Sequence, residues 1–164
     1  YSIHNNRSYL ECKKFGIHTA LETSGFAAES SIQSVLPFLD LIFFDIKSLS
    51  DARHLEFTHV SNKKILSNFE TIHSLFEKEL IVRIPLIPNF NDNKKVMQST
   101  LIYLSKFRKV RAIEIMPFHR LGTSKYEGLG MHYDYAHREP LERDDVSWLM
   151  QLGKDYGLPI SINW

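Results

Sequence analysis

The chain has 164 residues, 43% hydrophobic and 24% charged, with a formal net charge of +1. That length suits a single domain over residues 1–164 with a real core. The near-neutral balance lacks the basic, aromatic-laced runs of a nucleic-acid footprint, and no run of 18 apolar residues marks a membrane span.

The opening YSIHNNRSYLECKK is polar and unlike a signal peptide. Cys12 is the sole cysteine, so it forms no internal disulfide and by itself builds no zinc or iron–sulfur site. A reducing cytoplasm is the default setting for such a chain.

In chain order, SYLECKKFG predicts a helix that stops at Gly16. IHTALET (17–23) predicts a strand and AESSIQSVL a short helix. DLIFFDIK (40–47) predicts a second strand. SNKKILSNFETIHSLFEK then reads as a helix capped by Ser61, with Ile65, Phe69, Ile72 and Phe76 on one face. ELIVRIPLIP (79–88) is a third strand. NDNKKVMQSTLIYLSKF is a helix burying Val96, Leu101, Leu104 and Phe107. AIEIMPF (112–118) is a fourth strand. EPLERDDVSWLMQLGKDYG is a last helix, between Pro140 and Gly157, and PISIN (159–163) a fifth strand. Alternating strands and helices imply an α/β fold with a parallel sheet, its apolar strands covered on both faces. A full eight-unit barrel takes about 250 residues, so a barrel here is a partial one. There is no GxGxxG.

The strands end in polar residues. Glu22 and Thr23 close the first, and Asp45 and Lys47 the second, two apart and so on one face as a buried acid and base. Arg83 lies in the third, and His119 follows the fourth. Parallel α/β folds bind ligands at this end of the sheet. The set suits a zwitterion, with Lys47 or His119 for a carboxylate and Glu22 or Asp45 for an amino group. The plainer readings are an Asp45–Lys47 structural ion pair, an Arg83–Glu114 pair on neighbouring strands, and His119 as an idle loop residue. His54, His59, His73, His132 and His137 read as solvated or structural. GxSxG is absent.

GIHTALETSGF (16–26), DLIFFDIKS (40–48), VRIPLIPNFND (82–92) and IEIMPFHRLGTSKYEGLG (113–130) occur in order. Together they resemble the activating enzymes of glycyl radical enzymes, of the pyruvate formate-lyase activating type, in the radical S-adenosylmethionine superfamily. The resemblance implies about four of the six units of a partial, TIM-like (β/α) barrel. It implies S-adenosylmethionine and a [4Fe-4S] cluster at the strand C-termini. In the family, an electron from a flavodoxin- or ferredoxin-like donor leads to a 5′-deoxyadenosyl radical, which takes a hydrogen from a glycine of a large partner such as pyruvate formate-lyase. On matching positions, Glu22, Thr23 and Asp45 resemble a monovalent-cation cluster beside the cofactor carboxylate. Lys47 and His119 resemble cofactor contacts, and Arg83 the residue near the partner's glycine loop. HRLGTSKYEGLG resembles the loop that helps cover the site.

The family's CxxxCxxC and GGEP-like stretches are not in this sequence. The family order puts both ahead of residue 1, so the expectation is a C-terminal portion that is inactive alone, with a bare edge on the first strand that favours self-association. Two alternatives stand beside it. One is a cluster-free, non-enzymatic module that binds a glycyl radical enzyme. The other is an aldolase-like barrel with Lys47 as Schiff-base former and His119 as acid/base.

Overall fold

The computed structural model describes residues 7–133 and 135–164, the side chain of Arg7 aside. Helix α1 (Arg7–Lys14) leads into β1 (Ala20–Thr23), α2 (Glu29–Val35) and a 3-10 turn at Leu36–Phe38. Strand β2 (Leu41–Asp45) is followed by α3 (Asp51–Thr58), α4 (Lys63–Leu75), β3 (Glu79–Leu86), α5 (Lys94–Leu104) and β4 (Val110–Pro117). A second 3-10 turn (Arg120–Gly122), α6 (Thr123–Gly128), α7 (Arg143–Val146), α8 (Trp148–Asp155) and β5 (Ile160–Ile162) complete the chain.

The five strands form one parallel sheet in the order β1-β2-β3-β4-β5. Sequential order with crossovers of one hand places the helices on one side, as in a barrel wall. The burial pattern agrees, because β3 alternates between half-buried and buried along all eight residues. Ile42, Phe44, Leu80, Val82, Ile84, Leu86, Ile113 and Ile115 point into the helical layer and are buried. Cover on both faces was expected; among the described residues only one face carries a helical layer, and Phe43, Asp45, Ile81, Arg83 and Glu114 stay half-buried on the other.

The core is aromatic at its centre. Phe44 and Phe69 have ring centroids 5.2 Å apart, and Phe107 lies 4.8 Å from Phe69, edge-on. The predicted faces of the two central helices hold: Ile65, Phe69, Ile72 and Phe76 are buried on and just beyond α4, as are Leu101 and Leu104 on α5. Val96 and Phe107 are half-buried, and Met97 and Thr100 complete the buried face of α5.

Three elements differ from the sequence reading. Strand β1 is shorter because Thr19 is bound through the Asp40 side chain: Thr19 N donates to Asp40 Oδ2 at 2.9 Å. Helix α3 was not anticipated; it buries His54 rather than an apolar stripe, so periodicity did not reveal it. Ser50 caps it, accepting from Arg53 N at 3.4 Å, and it ends at His59 in the left-handed region. The last helix is split at Ser147, and Pro140 precedes it; Glu142 and Asp145 form a reciprocal capping box instead. The cap expected at Ser61 also moves: Asn62 is the N-cap, and Ser61 Oγ donates to Asp51 Oδ1 at 2.6 Å.

Buried asparagines fix the loops at the C-terminal end of the sheet. Asn91 donates from Nδ2 to Lys47 O at 2.9 Å and Pro85 O at 2.7 Å, and its Oδ1 accepts from Ile87 N at 2.7 Å. Asn68 on α4 donates to Gly25 O at 2.7 Å and Ala27 O at 3.0 Å. Gly25 has φ +72°, and a Cβ there would lie 2.3 Å from Phe44 Cζ, so the loop after β1 needs a glycine for both reasons. At the opposite end, Asp40 accepts from Lys13 and from Lys78, the latter at 2.9 Å.

Candidate functional site

The register puts the polar residues in one rank across the uncovered face. Glu22 pairs with Phe43, Asp45 with Arg83, Arg83 with Glu114, and Glu114 with Ser161. Arg83 is at the centre. Its Nε donates to Glu114 Oε2 at 2.9 Å, and its Nη1 lies 3.0 Å from Glu22 Oε2. The guanidinium carbon sits 3.7 Å from the centroid of the Phe43 ring, a cation–π stack. Burial opposes the charge on Arg83, but hydrogen bonds to Glu114 and Glu22 outweigh it and raise its pKa. It is a permanent cation, clamped on three sides.

Asp45 and Lys47 form an ion pair, Nζ to Oδ2 3.2 Å. They are not as buried as the sequence suggests: the side chains are 21% and 28% exposed. The strand ends at the sheet rim, and only the intervening Ile46 goes into the core. Asp45 and Arg83 are cross-strand neighbours, so the two pairs adjoin.

Thr23 pairs in register with Phe44, on the helix-covered side, and its Oγ1 accepts from Gly25 N at 3.0 Å. Glu22 and Asp45, which point to the open side, are thus brought together without the Thr23 hydroxyl. His119 is exposed, and its Nδ1 accepts from Leu121 N at 3.3 Å, capping the second 3-10 turn. The following segment folds as that turn and α6, with Leu121 and Leu129 exposed and Tyr126 stacked on Tyr133 at 4.4 Å.

Two of the remaining histidines have structural roles. His54 is buried, its Nδ1 2.8 Å from Val60 O and 2.9 Å from Thr58 Oγ1. His73 accepts from Lys109 N at 3.3 Å, and burial, then Lys109, lowers its pKa. Phe43 was missed as a site residue, although its place two before Asp45 put it on the same face. Glu114 is the cross-strand partner of Arg83 that the sequence suggests.

Among the described residues, no group of three His, Cys, Asp or Glu gathers to hold a metal ion. Cys12 is half-buried on α1 and is the chain's one thiol, so these residues do not fit an iron–sulfur cluster held by three thiolates.

The architecture is that of a partial, TIM-like barrel of the radical S-adenosylmethionine kind. A solved domain of a pyruvate-formate lyase-activating enzyme from Bacteroides vulgatus superposes with a TM-score of 0.77 at 23% identity, covering 96% of this chain and 88% of that one. A radical SAM methyltransferase from Sphaerobacter thermophilus superposes with a TM-score of 0.68 at 11% identity, over 91% of this chain and 42% of that one. No family model matches the chain.

In sequence, the chain is 31% identical over 155 residues to a choline trimethylamine-lyase activating enzyme of Oleidesulfovibrio alaskensis, covering 92% of this chain and 49% of the relative. It is 40% identical over 120 residues to an isethionate sulfite-lyase activating enzyme of Nitratidesulfovibrio vulgaris, covering 73% and 38%. A 4-hydroxyphenylacetate decarboxylase activating enzyme of Clostridioides difficile is 31% identical over 150 residues, covering 91% and 47%. The chain is a homologue of the glycyl radical enzyme activating enzymes, and it spans about half the length, or less, of these curated relatives.

Proposed function

We propose that this chain forms the C-terminal barrel portion of an activating enzyme that installs a glycyl radical on a partner enzyme. The observation that carries the reading is the rank of charged groups on the uncovered sheet face, at the strand C-termini, in a chain homologous to such activators. In this reading Lys47 and His119 hold the carboxylate end of S-adenosylmethionine. Asp45 and Glu22 lie beside it, where a monovalent cation would compete with Lys47 for Asp45 and with Arg83 for Glu22; the Thr23 hydroxyl, turned to the helix-covered side, is not part of that cluster. The half-buried Asp45–Lys47 pair fits one end of a zwitterion, because its charges are already partly desolvated and fixed.

When bound, with an iron–sulfur cluster held outside these residues, the cofactor supplies a 5′-deoxyadenosyl radical. Arg83, clamped against Phe43, faces the partner's glycine loop. The partner is a glycyl radical enzyme of the pyruvate formate-lyase type or of the kinds named for the relatives, such as choline trimethylamine-lyase or isethionate sulfite-lyase. The chain alone is inactive in this reading, and its setting is cytoplasmic.

The test is titration of S-adenosylmethionine into the isotope-labelled chain. Shifts at Asp45, Lys47 and His119 are expected, with affinity about tenfold weaker in Asp45→Ala, as for loss of a charged contact. An Asp45→Ala chain that binds as well as the unmodified one would show the site assignment to be wrong.

A further inference from the structure

Asn62 is the N-cap of α4, yet its side chain makes no capping bond. Asparagine is favoured at that position because its side-chain oxygen accepts from a first-turn amide. Here the side chain is buried, and its Nδ2 donates instead to Ser48 O at 2.8 Å. The preceding carbonyl, Lys47 O, accepts from the buried Asn91 at 2.9 Å. Two consecutive carbonyls are therefore held by two buried amides that come from different elements. Asn91 ties the loop to the end of β3, through Pro85 O and Ile87 N. Asn62 ties it to α4, whose Ile65, Phe69 and Ile72 are in the core. These bonds take over where the sheet stops: β2 ends at Asp45, and Ile46 N donates to Arg83 O at 2.9 Å. Ser48 is buried as well, and its hydroxyl accepts from Ser50 N at 3.1 Å, which tightens the turn beyond.

We propose that Asn62 and Asn91 act together as positioning residues for Lys47, holding its backbone so that the ammonium is presented to the carboxylate of the bound cofactor. The inference rests on Lys47 being a contact of that carboxylate. Lysine has a long, flexible side chain, so a mobile backbone beneath it would multiply the arrangements that binding must freeze. Fixing two successive peptide planes removes that freedom before the ligand arrives. The diverted cap is what separates this role from simple stabilisation. An Asn62 that served α4 alone would cap its own helix; the bond to Ser48 O serves the loop that carries Lys47.

The experiment is a titration of the chain and its variants with S-adenosylmethionine and with decarboxylated S-adenosylmethionine, which lacks the carboxylate. Asn62→Ser keeps a residue that caps helices well but removes the amide that reaches Ser48 O. It should weaken S-adenosylmethionine about fivefold and leave the decarboxylated compound unchanged. In a Lys47→Gln background the same substitution should have no further effect, because the side chain it positions is gone. Equal weakening of both ligands, losses that add to that of Lys47→Gln, or no loss at all would each overturn the proposal. A Lys47→Gln chain that binds S-adenosylmethionine as well as the unmodified one would overturn the role of Lys47, and the inference with it. A loss in Lys47→Gln without one in Asn62→Ser would overturn the inference alone. One further measurement needs no variant to fold. Backbone order parameters at residues 47 and 48 of the unmodified chain should match rigid strand values of about 0.85, and values below about 0.6 would overturn the proposal.

Discussion

Arg83 has two carboxylates for one guanidinium, and their exposures separate what each contributes. Glu114 is 15% exposed and Glu22 61%. An exposed pair contributes little, whereas removing one partner of a half-buried pair leaves a charge poorly compensated. Glu114→Gln should therefore cost about 1–3 kcal/mol in urea unfolding, and Glu22→Gln less than about 1 kcal/mol. Equal costs would mean that the two contacts are equivalent and that Glu114 does not fix Arg83. The same asymmetry makes Glu22 the partner that Arg83 can release when a ligand or partner group approaches. The charged rank was legible in the sequence, since residues two apart on a strand share a face. The stack on Phe43 was not, because an apolar residue in an apolar run gives no sign of which face is open.

At the scale of elements, the loops after β2 and β3 are joined through one side chain. Asn91 is buried and satisfies two carbonyls and an amide. Asn91→Ala would leave those groups unpaired and should destabilise the chain by about 2–4 kcal/mol, read from the urea midpoint. It should also loosen Lys47, whose carbonyl it holds, so amide exchange near residue 47 should quicken more than in β3. Uniform quickening would count against a local tether. The strands and the two central helices were legible from apolar periodicity, down to Ile65, Phe69, Ile72 and Phe76. Helix α3 was not, because its buried side is a hydrogen-bonded histidine. Nor was the split of the final helix, where the Glu142–Asp145 box outweighs Pro140 as a start signal.

For the whole molecule, the two ends of the sheet do different work. The C-terminal end carries the half-open charged rank, and the N-terminal end is fastened by Asp40. Its partners lie on α1, before β1 and before β3: Lys13, Thr19 and Lys78. Lys13 first, then Thr19 N and Lys78, hold the Asp40 carboxyl well below the usual carboxylate range. A depressed folded pKa stabilises above the unfolded value, near 3.9, and the contribution fades as pH falls below that value. Stability should thus drop below about pH 4 in the natural chain, and less steeply in Asp40→Asn, which should be weaker at neutral pH. Parallel stability–pH curves for the two would remove Asp40 from that role. Strand β1 pairs only with β2 among the described residues, and Phe15 and Ile17 nearby are exposed. The isolated chain should self-associate through that edge. A concentration-independent monomer in size-exclusion chromatography would oppose this.

The pairing of β3 with β4 changes phase between Leu80 and Ile81: Leu80 is opposite Val110, but Ile81 is opposite Ala112, so Arg111 is an extra residue. Every later position on β4 is set by that one step. Without it, Ile113 would lie beside Arg83 on the open face and Glu114 would be turned into the helical layer. The spacing of β4 is thus a parity lock, under which a single insertion or deletion inside the paired strand, between Val110 and Ala112, inverts the faces of the residues that follow while a paired one preserves them. Length variation among homologues in this stretch should accordingly come in steps of two.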